Sequence, residues 1–252
     1  MVMSFLSILV LLLPSTIHGH GYLKTPRSRN YVAHQDGVWW PLTDSTPYPE
    51  SEPQSANRGG NRGQCGVIAE TRNYDFPKTG AGNPLPFRAQ QCYQPGQIID
   101  LEVKLTAHHK GHFEFKACPI SPGQAPTQAC FDAHPLRFVS DVLSPGQSRA
   151  TANFDPNYPE RAYIPPKDFV DLHYRYQLPS GLSGDTVLLQ WHYVTANSCM
   201  HVGYDRYNWP PGFHPGNLSQ CGPLPPDGNG VPEQVRESIV LCAVGGGKCC
   251  FD

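Results

Sequence analysis

His20 follows a short apolar stretch, Phe5 to Leu13, with Pro14, Ser15 and Thr16 behind it and Gly19 as a small residue at the junction. Residues 1–19 read as a secretory signal peptide whose removal makes His20 the first residue of the mature chain. Its α-amine and the Nδ1 of its own ring then close on one metal ion. An internal histidine cannot form that chelate. One further imidazole completes a flat three-nitrogen site, and tetragonal nitrogen ligation points to a single Cu(II) ion. The α-amine, with an unperturbed pKa of about 7.7–8.0, must lose its proton to bind, so affinity should fall in acid. Cleavage after Thr16 is the competing reading and would leave His20 internal.

The second imidazole has three candidates in one short segment, Thr106-Ala107-His108-His109-Lys110-Gly111-His112-Phe113-Glu114-Phe115. A helix would put His108 and His112 on one face. The alternation of Phe113 and Phe115 argues for a strand instead. Zinc held by His109 and His112 is a competing reading. His192 shares a strand face with Gln190 and is read as a core histidine. His34, His134, His173, His201 and His214 are read as surface or loop residues.

The elements that must position these groups are strands. Ile98 to Thr106 alternates, with Leu101, Val103 and Leu105 on one side and Asp100, Glu102 and Lys104 on the other. His112 to Lys116 alternates again, with Phe113 and Phe115 inward. Thr186 to Val194 reads as a strand buried on both faces. Pro95-Gly96, Pro122-Gly123, Pro145-Gly146 and Ser180-Gly181 punctuate the gaps. The expected fold is an all-β sandwich of the immunoglobulin/fibronectin-III type with long loop insertions and short helices. Residues 36–90 alternate little and are too long for a plain loop, so they should carry short helices or bind something.

Composition narrows the function. The chain has 252 residues, a net charge of −2, 27 prolines and 24 glycines. Nothing favours nucleic acid or an anionic membrane as partner. No segment after the leader reaches the ~20 apolar residues a bilayer span requires, so the product is expected to be secreted, extracellular and monomeric. Nine cysteines suit an oxidising compartment. Three local pairs stand out: Cys65 with Cys92, Cys118 with Cys130, and Cys199 with Cys221. Cys242, Cys249 and Cys250 crowd the terminus. Asn217-Leu218-Ser219 is a possible glycan acceptor at Asn217. No paired carboxylates of the hydrolase kind stand out.

His20-Gly21, Pro26, Ser28-Arg29, Gly63-Gln64-Cys65-Gly66, the Cys92 strand start, Thr106-Ala107-His108-His109, Leu189-Gln190-Trp191 and Asn197-Ser198-Cys199 occur in an order that resembles the copper-dependent lytic polysaccharide monooxygenases of the chitin-binding type, auxiliary activity families ten and fifteen. The resemblance implies a domain over residues 20–234, with His20 and His109 as copper ligands and catalytic residues. Ala107 falls where that family keeps a small residue beside the copper. Trp39, Trp40 and Tyr48 fall where it places substrate-contacting residues, and Tyr74 is a weaker candidate. The implied reaction is oxidative cleavage of glycosidic bonds in crystalline chitin or cellulose, with an external electron donor and oxygen or hydrogen peroxide. A non-catalytic chitin-binding defence protein on the same fold is the alternative. A copper-storage protein is a third reading.

The resemblance also implies a last core strand with an acidic or amide residue, an aromatic two positions on, and a cysteine three positions further. Glu233 matches the first, as an outer-sphere catalytic residue. Val235 stands where the aromatic near copper should be, and Ser238 where the cysteine should be. Residues 235–252 are therefore expected to be an aberrant or divergent tail that leaves the core without its last strand. A reading frame departing after Gln234 through a retained intron would explain it. A native divergent terminus is the alternative.

Overall fold

The computed structural model describes residues 21–36, 68–69, 72–73, 89–121, 124–142, 154–166, 171–197, 199–222 and 234–243. In chain order the elements are β1 (Gly21–Thr25), α1 (Arg29–Asp36), β2 (Ile68–Ala69), β3 (Arg72–Asn73), β4 (Gln91–Tyr93), β5 (Ile98–Leu105), β6 (His112–Pro119), α2 (Gln128–Asp132), β7 (Arg137–Val142), β8 (Ala162–Tyr163), β9 (Asp171–Gln177), β10 (Gly184–Val194) and β11 (Gln234–Ala243). One sheet runs β1-β5-β9-β7 and the other β4-β11-β10-β6-β8, with β2 and β3 a separate small pair. The β11–β4 pairing is parallel; the other named pairings are antiparallel. This is the all-β sandwich that the alternation predicts.

The core lies between the two sheets. Leu101, Val103 and Leu105 of β5 are buried, as are Phe113 and Phe115 of β6 and Val187, Leu189, Trp191 and Tyr193 of β10. Phe113 packs edge-on to Tyr174, Trp191 and Tyr193 at centroid separations of 5.7, 5.3 and 5.1 Å. Such contacts contribute beyond the buried area alone, on the order of 0.5–1.5 kcal/mol each. The strand β10 is buried on both faces: Leu189, Trp191 and Tyr193 face the core, while on the other side Gln190 meets Gln128 of α2 and His192 lies beside Glu114.

A second, smaller core forms where the chain after β10 folds over. Tyr163, Ala196, Met200, Tyr204, Tyr207 and Trp209 pack together, with Tyr163 stacked on Tyr207 at 3.4 Å. The Cys199–Cys221 disulfide closes this loop. The Cys118–Cys130 disulfide ties β6 to α2, and the Thr127 hydroxyl caps α2 by accepting from the Cys130 amide at 3.2 Å. Both pairings are those read from local cysteine spacing. Cys92 lies on β4, opposite Cys242 of β11; Cys65 lies outside the described residues.

At the C-terminal end, Gln234–Ala243 forms β11 and pairs along β10 from Gln234↔Val194 to Ala243↔Gly184. The reason is in the sequence of the tail itself. Val235, Ile239 and Leu241 recur at even spacing, and they sit in register with the core-facing residues Tyr193, Leu189 and Val187. A different sequence with the right period satisfies the same strand position.

Candidate metal centre

One end of the sandwich gathers the chemistry. The chain begins β1 at Gly21, opposite Leu105, where β5 finishes. It begins β6 at His112 and β11 at Gln234, both opposite Val194, where β10 finishes. The start of β1, the loop after Leu105 and the chain after Val194 therefore lie at one end of the sandwich. Gly21 is forced by packing: a Cβ there would stand 2.6 Å from the Lys104 carbonyl oxygen and 3.3 Å from Trp191.

The loop between β5 and β6 crosses from one sheet to the other through two left-handed residues, Lys110 at φ 56° and Gly111 at φ 89°. A Cβ at Gly111 would fall 2.0 Å from the Val194 carbonyl oxygen, so only glycine fits this crossing. His109 sits just before the turn and is held from β10 and the residues that follow it. Its amide donates to the Tyr193 hydroxyl at 2.9 Å, and that hydroxyl donates to the Lys110 carbonyl at 3.0 Å. The Ala196 amide donates to the His109 carbonyl at 2.9 Å. The Asn197 side-chain amide meets His109 Nδ1 at 2.8 Å.

The other two histidines of the segment are committed elsewhere. His108 Nε2 lies 2.7 Å from the Pro165 carbonyl, and its Nδ1 accepts from the Lys110 amide at 3.0 Å. It is a neutral ring with both nitrogens used, and burial lowers its pKa. His112 is fully buried. Its Nδ1 meets the Tyr204 hydroxyl at 2.6 Å and its Nε2 meets Glu114 at 3.0 Å. Burial pushes its pKa down to about 3. The zinc reading of His109 with His112 therefore fails, because His112 has no nitrogen to spare. Among the described residues no group of three or more His, Cys, Asp or Glu side chains could hold a metal.

Behind His109 the outer face of β6 carries a charged cluster that the sequence did not announce. Glu114 lies 3.6 Å from Arg161, 3.4 Å from Lys116 and 3.7 Å from His192. Arg161 lies over the Tyr158 ring at 3.6 Å and approaches His201 at 3.4 Å. Burial would raise the Glu114 carboxyl, but its contacts with His112 and His192 hold it well below the usual range. His192 is buried, but in this cluster on the outer face rather than between the sheets. His201 is not an ordinary loop residue: it is half-buried against Arg161, which with burial lowers its pKa.

Ala107 lies two positions before His109 on the same loop, half-buried. Val235 takes its place on β11 opposite Tyr193. Asn217 is exposed. His20, Trp39, Trp40, Tyr48, Tyr74 and Glu233 lie outside the described residues. Sequence reading missed Asn197 and the Tyr193 hydroxyl as supports of His109. Their signal is positional only: both lie where β10 runs out beside the candidate ligand.

The described donor set suits a nitrogen-ligated metal at this end. It offers one imidazole, fixed through Nδ1, beside the point where the chain enters β1. The profile of a family described as "Lytic polysaccharide mono-oxygenase, cellulose-degrading" matches residues 20–206. The chain belongs to that family of copper-dependent enzymes, which cleave polysaccharides oxidatively. Among solved structures it is similar to a lytic polysaccharide monooxygenase AA15 from Thermobia domestica in the Cu(I) state, at 20% identity and TM-score 0.59, covering 89% of this chain and 98% of that one. A chitin-binding domain from Burkholderia pseudomallei aligns over 90% of this chain and 100% of that one, at 12% identity and TM-score 0.41. No curated protein matches significantly. Among the described residues no helix is long and apolar enough to cross a membrane.

Proposed function

We propose that this chain is a secreted copper monooxygenase that cleaves glycosidic bonds at the surface of crystalline chitin, with cellulose, the substrate in the family description, as the second polysaccharide. His20, through its α-amine and Nδ1, and His109, through one imidazole nitrogen, would hold one copper ion. When bound, copper supplies the redox chemistry with oxygen or peroxide and an external electron donor. The chain's part is positional. Tyr193, Ala196 and Asn197 hold His109 still, and the glycines at 21 and 111 let the strands close around it. Trp39, Trp40 and Tyr48 are the proposed substrate contacts and Glu233 the outer-sphere group. Cys65–Cys92 is the proposed third disulfide and Asn217 the proposed glycan site. The observation that carries this reading is the placement of His109, held by Tyr193, Ala196 and Asn197 in the loop that leaves β5 where β1 begins.

The test is to secrete the protein, sequence its N-terminus, and titrate copper. A start at His20, one tight Cu(II) with nitrogen hyperfine coupling, and oxidised oligosaccharides from chitin or cellulose with ascorbate are expected. Residues ahead of His20, or no tight copper, overturn the reading. Val235 at the position where the resemblance implies an aromatic favours a second reading, a chitin binder without turnover. Chitin affinity with copper bound and no oxidised products would select it.

A further inference from the structure

The chain that builds the second core carries no charged residue from Tyr207 to Cys221. This loop stands beside His109 and is tied to both of its neighbours in sequence. On one flank the Phe213 ring packs edge-on to His108 at a centroid separation of 5.2 Å. On the other, Lys110 Nζ donates to the His214 carbonyl at 2.9 Å and lies 5.5 Å from the Phe213 ring centre. Lys110 takes φ 56°, where glycine or asparagine sits more easily. Its side chain gives a reason for lysine there: it fastens the loop to the turn that carries His109.

The loop is rigid and faces water. Pro210 to Phe213 is a type II turn, with Gly212 at φ 73° and the Phe213 amide donating to the Pro210 carbonyl at 3.0 Å. Phe213 and Leu218 root it on the second core, and the Cys199–Cys221 disulfide closes it. Pro211, Gly212, His214, Gly216 and Asn217 are exposed. His214 is exposed but held. Its Nδ1 accepts from the Gly216 amide at 3.0 Å, and its ring meets Trp209 edge-on at 6.3 Å. A backbone N–H can only donate, so in the neutral ring Nε2 carries the proton and is the donor. A side chain already held in one orientation loses little entropy when it binds. Exposed proline, a glycine turn and an aimed donor, with no charge among them, suit a neutral ligand rich in oxygen acceptors.

We infer that this loop is a polysaccharide-contacting wall beside His109, in which His214 donates from Nε2 to a hydroxyl or carbonyl oxygen of a neutral sugar chain. Lys110 is a positioning residue that keeps the wall in place against the turn of His109. The inference rests on the copper reading for what the contact serves, but the contact itself needs no metal.

The experiment measures depletion of the full-length secreted protein by insoluble chitin and by cellulose, with and without copper, alongside Cu(II) affinity by calorimetry. His214→Ala should weaken adsorption to at least one polymer roughly 3–10-fold, the worth of one neutral hydrogen bond, and leave copper affinity within about twofold. His214→Asn can still accept from the amide two residues on, so it keeps the turn, but its side chain is shorter. It should lose as much adsorption as His214→Ala. Lys110→Asn tolerates the left-handed φ and removes only the fastening. It should weaken adsorption by a similar factor at an unchanged urea midpoint. Full adsorption by His214→Ala overturns the proposal, as does recovery in His214→Asn, which would make His214 a turn former only. Full adsorption by Lys110→Asn removes Lys110 from it. A wild type that adsorbs to neither polymer overturns it as well. A wild type that takes up no tight copper, yet adsorbs and loses adsorption in His214→Ala, keeps the wall and sinks the monooxygenase reading. Copper uptake and oxidised products with adsorption unmoved in His214→Ala do the reverse.

Discussion

The two sheets each carry a charged cluster on the outer face, and the clusters are built from similar residues. On the first sheet Lys24 pairs with Glu102 and, at 3.2 Å, with Asp171, while Lys104 reaches Asp171 at 3.3 Å. On the second, Glu114 faces His112, Lys116, Arg161 and His192. The first set keeps between 21% (Glu102) and 38% (Asp171) of its side-chain surface in water. The second is roofed by Tyr204 and His201 from the disulfide-closed loop, and His112 has no exposure at all. Water screens the first cluster and leaves it worth little. The second has given up its hydration, so each member depends on the others. Cover, not composition, decides the energetic weight.

Removing the buried carboxylate is the sharpest way to break that contrast. Glu114→Gln keeps the shape but leaves Arg161 and Lys116 facing no charge on Glu114's side. We expect a loss of about 3 kcal/mol, in line with breaking a buried pair, read as a lower urea midpoint at unchanged slope. A change under about 0.5 kcal/mol would place the cluster with ordinary surface pairs.

Acid should expose the same difference. His112 folds with its pKa pushed down to about 3 by burial, against about 6.5 in an unfolded chain. Between those values the unfolded chain binds a proton that the folded one refuses. The stability contributed by neutral His112 is therefore full above about pH 6.5 and lost as pH falls toward 3. Glu114, with its folded pKa depressed, acts in the same direction at lower pH: its contribution is present above the unfolded value of about 4.3 and lost as pH falls through the folded one. Stability should drop by a few kcal/mol across this window. His112→Gln should flatten the slope between about pH 6.5 and 4.5, where unfolded carboxylates stay largely ionised. Equal slopes in the variant and wild type would remove His112 as the cause.

Which parts were legible follows from the same contrast. Leu101, Val103 and Leu105, or Phe113 and Phe115, announce the core because alternation is a local signal and apolar contacts are tolerant of partner. His109 was legible through the short motif around it. Arg161, His201 and Tyr204 were not, since they reach Glu114 and His112 from segments 47 to 92 positions away and polar pairing leaves no period in the sequence. Asn197 was seen as part of a motif, but its role depends on a bond to His109 across 88 positions. The β11 strand was hard to read for the opposite reason. The expected residue types were missing, yet the spacing of Val235, Ile239 and Leu241 was sufficient for pairing with β10.

The smallest effect belongs to the solvated cluster and completes the comparison. Lys24 donates to both Glu102 and Asp171. Those two contacts raise its pKa against an opposing effect of burial. Glu102 and Asp171 are both held below the usual carboxylate range: burial would raise them, but hydrogen bonds from Lys24, with Thr25 for Glu102 and Lys104 for Asp171, more than offset it. These shifts point the same way as those of Glu114, yet they do not carry the same stability, because partial exposure lets water and salt stand in for a lost partner. Lys24→Met keeps most of the apolar stem on the sheet. It should change unfolding free energy by no more than about 0.5 kcal/mol, and the difference should shrink further in 1 M salt. A loss as large as that of Glu114→Gln, persisting in high salt, would mean that the outer face of the first sheet is covered too, and that the contrast between the two faces is wrong.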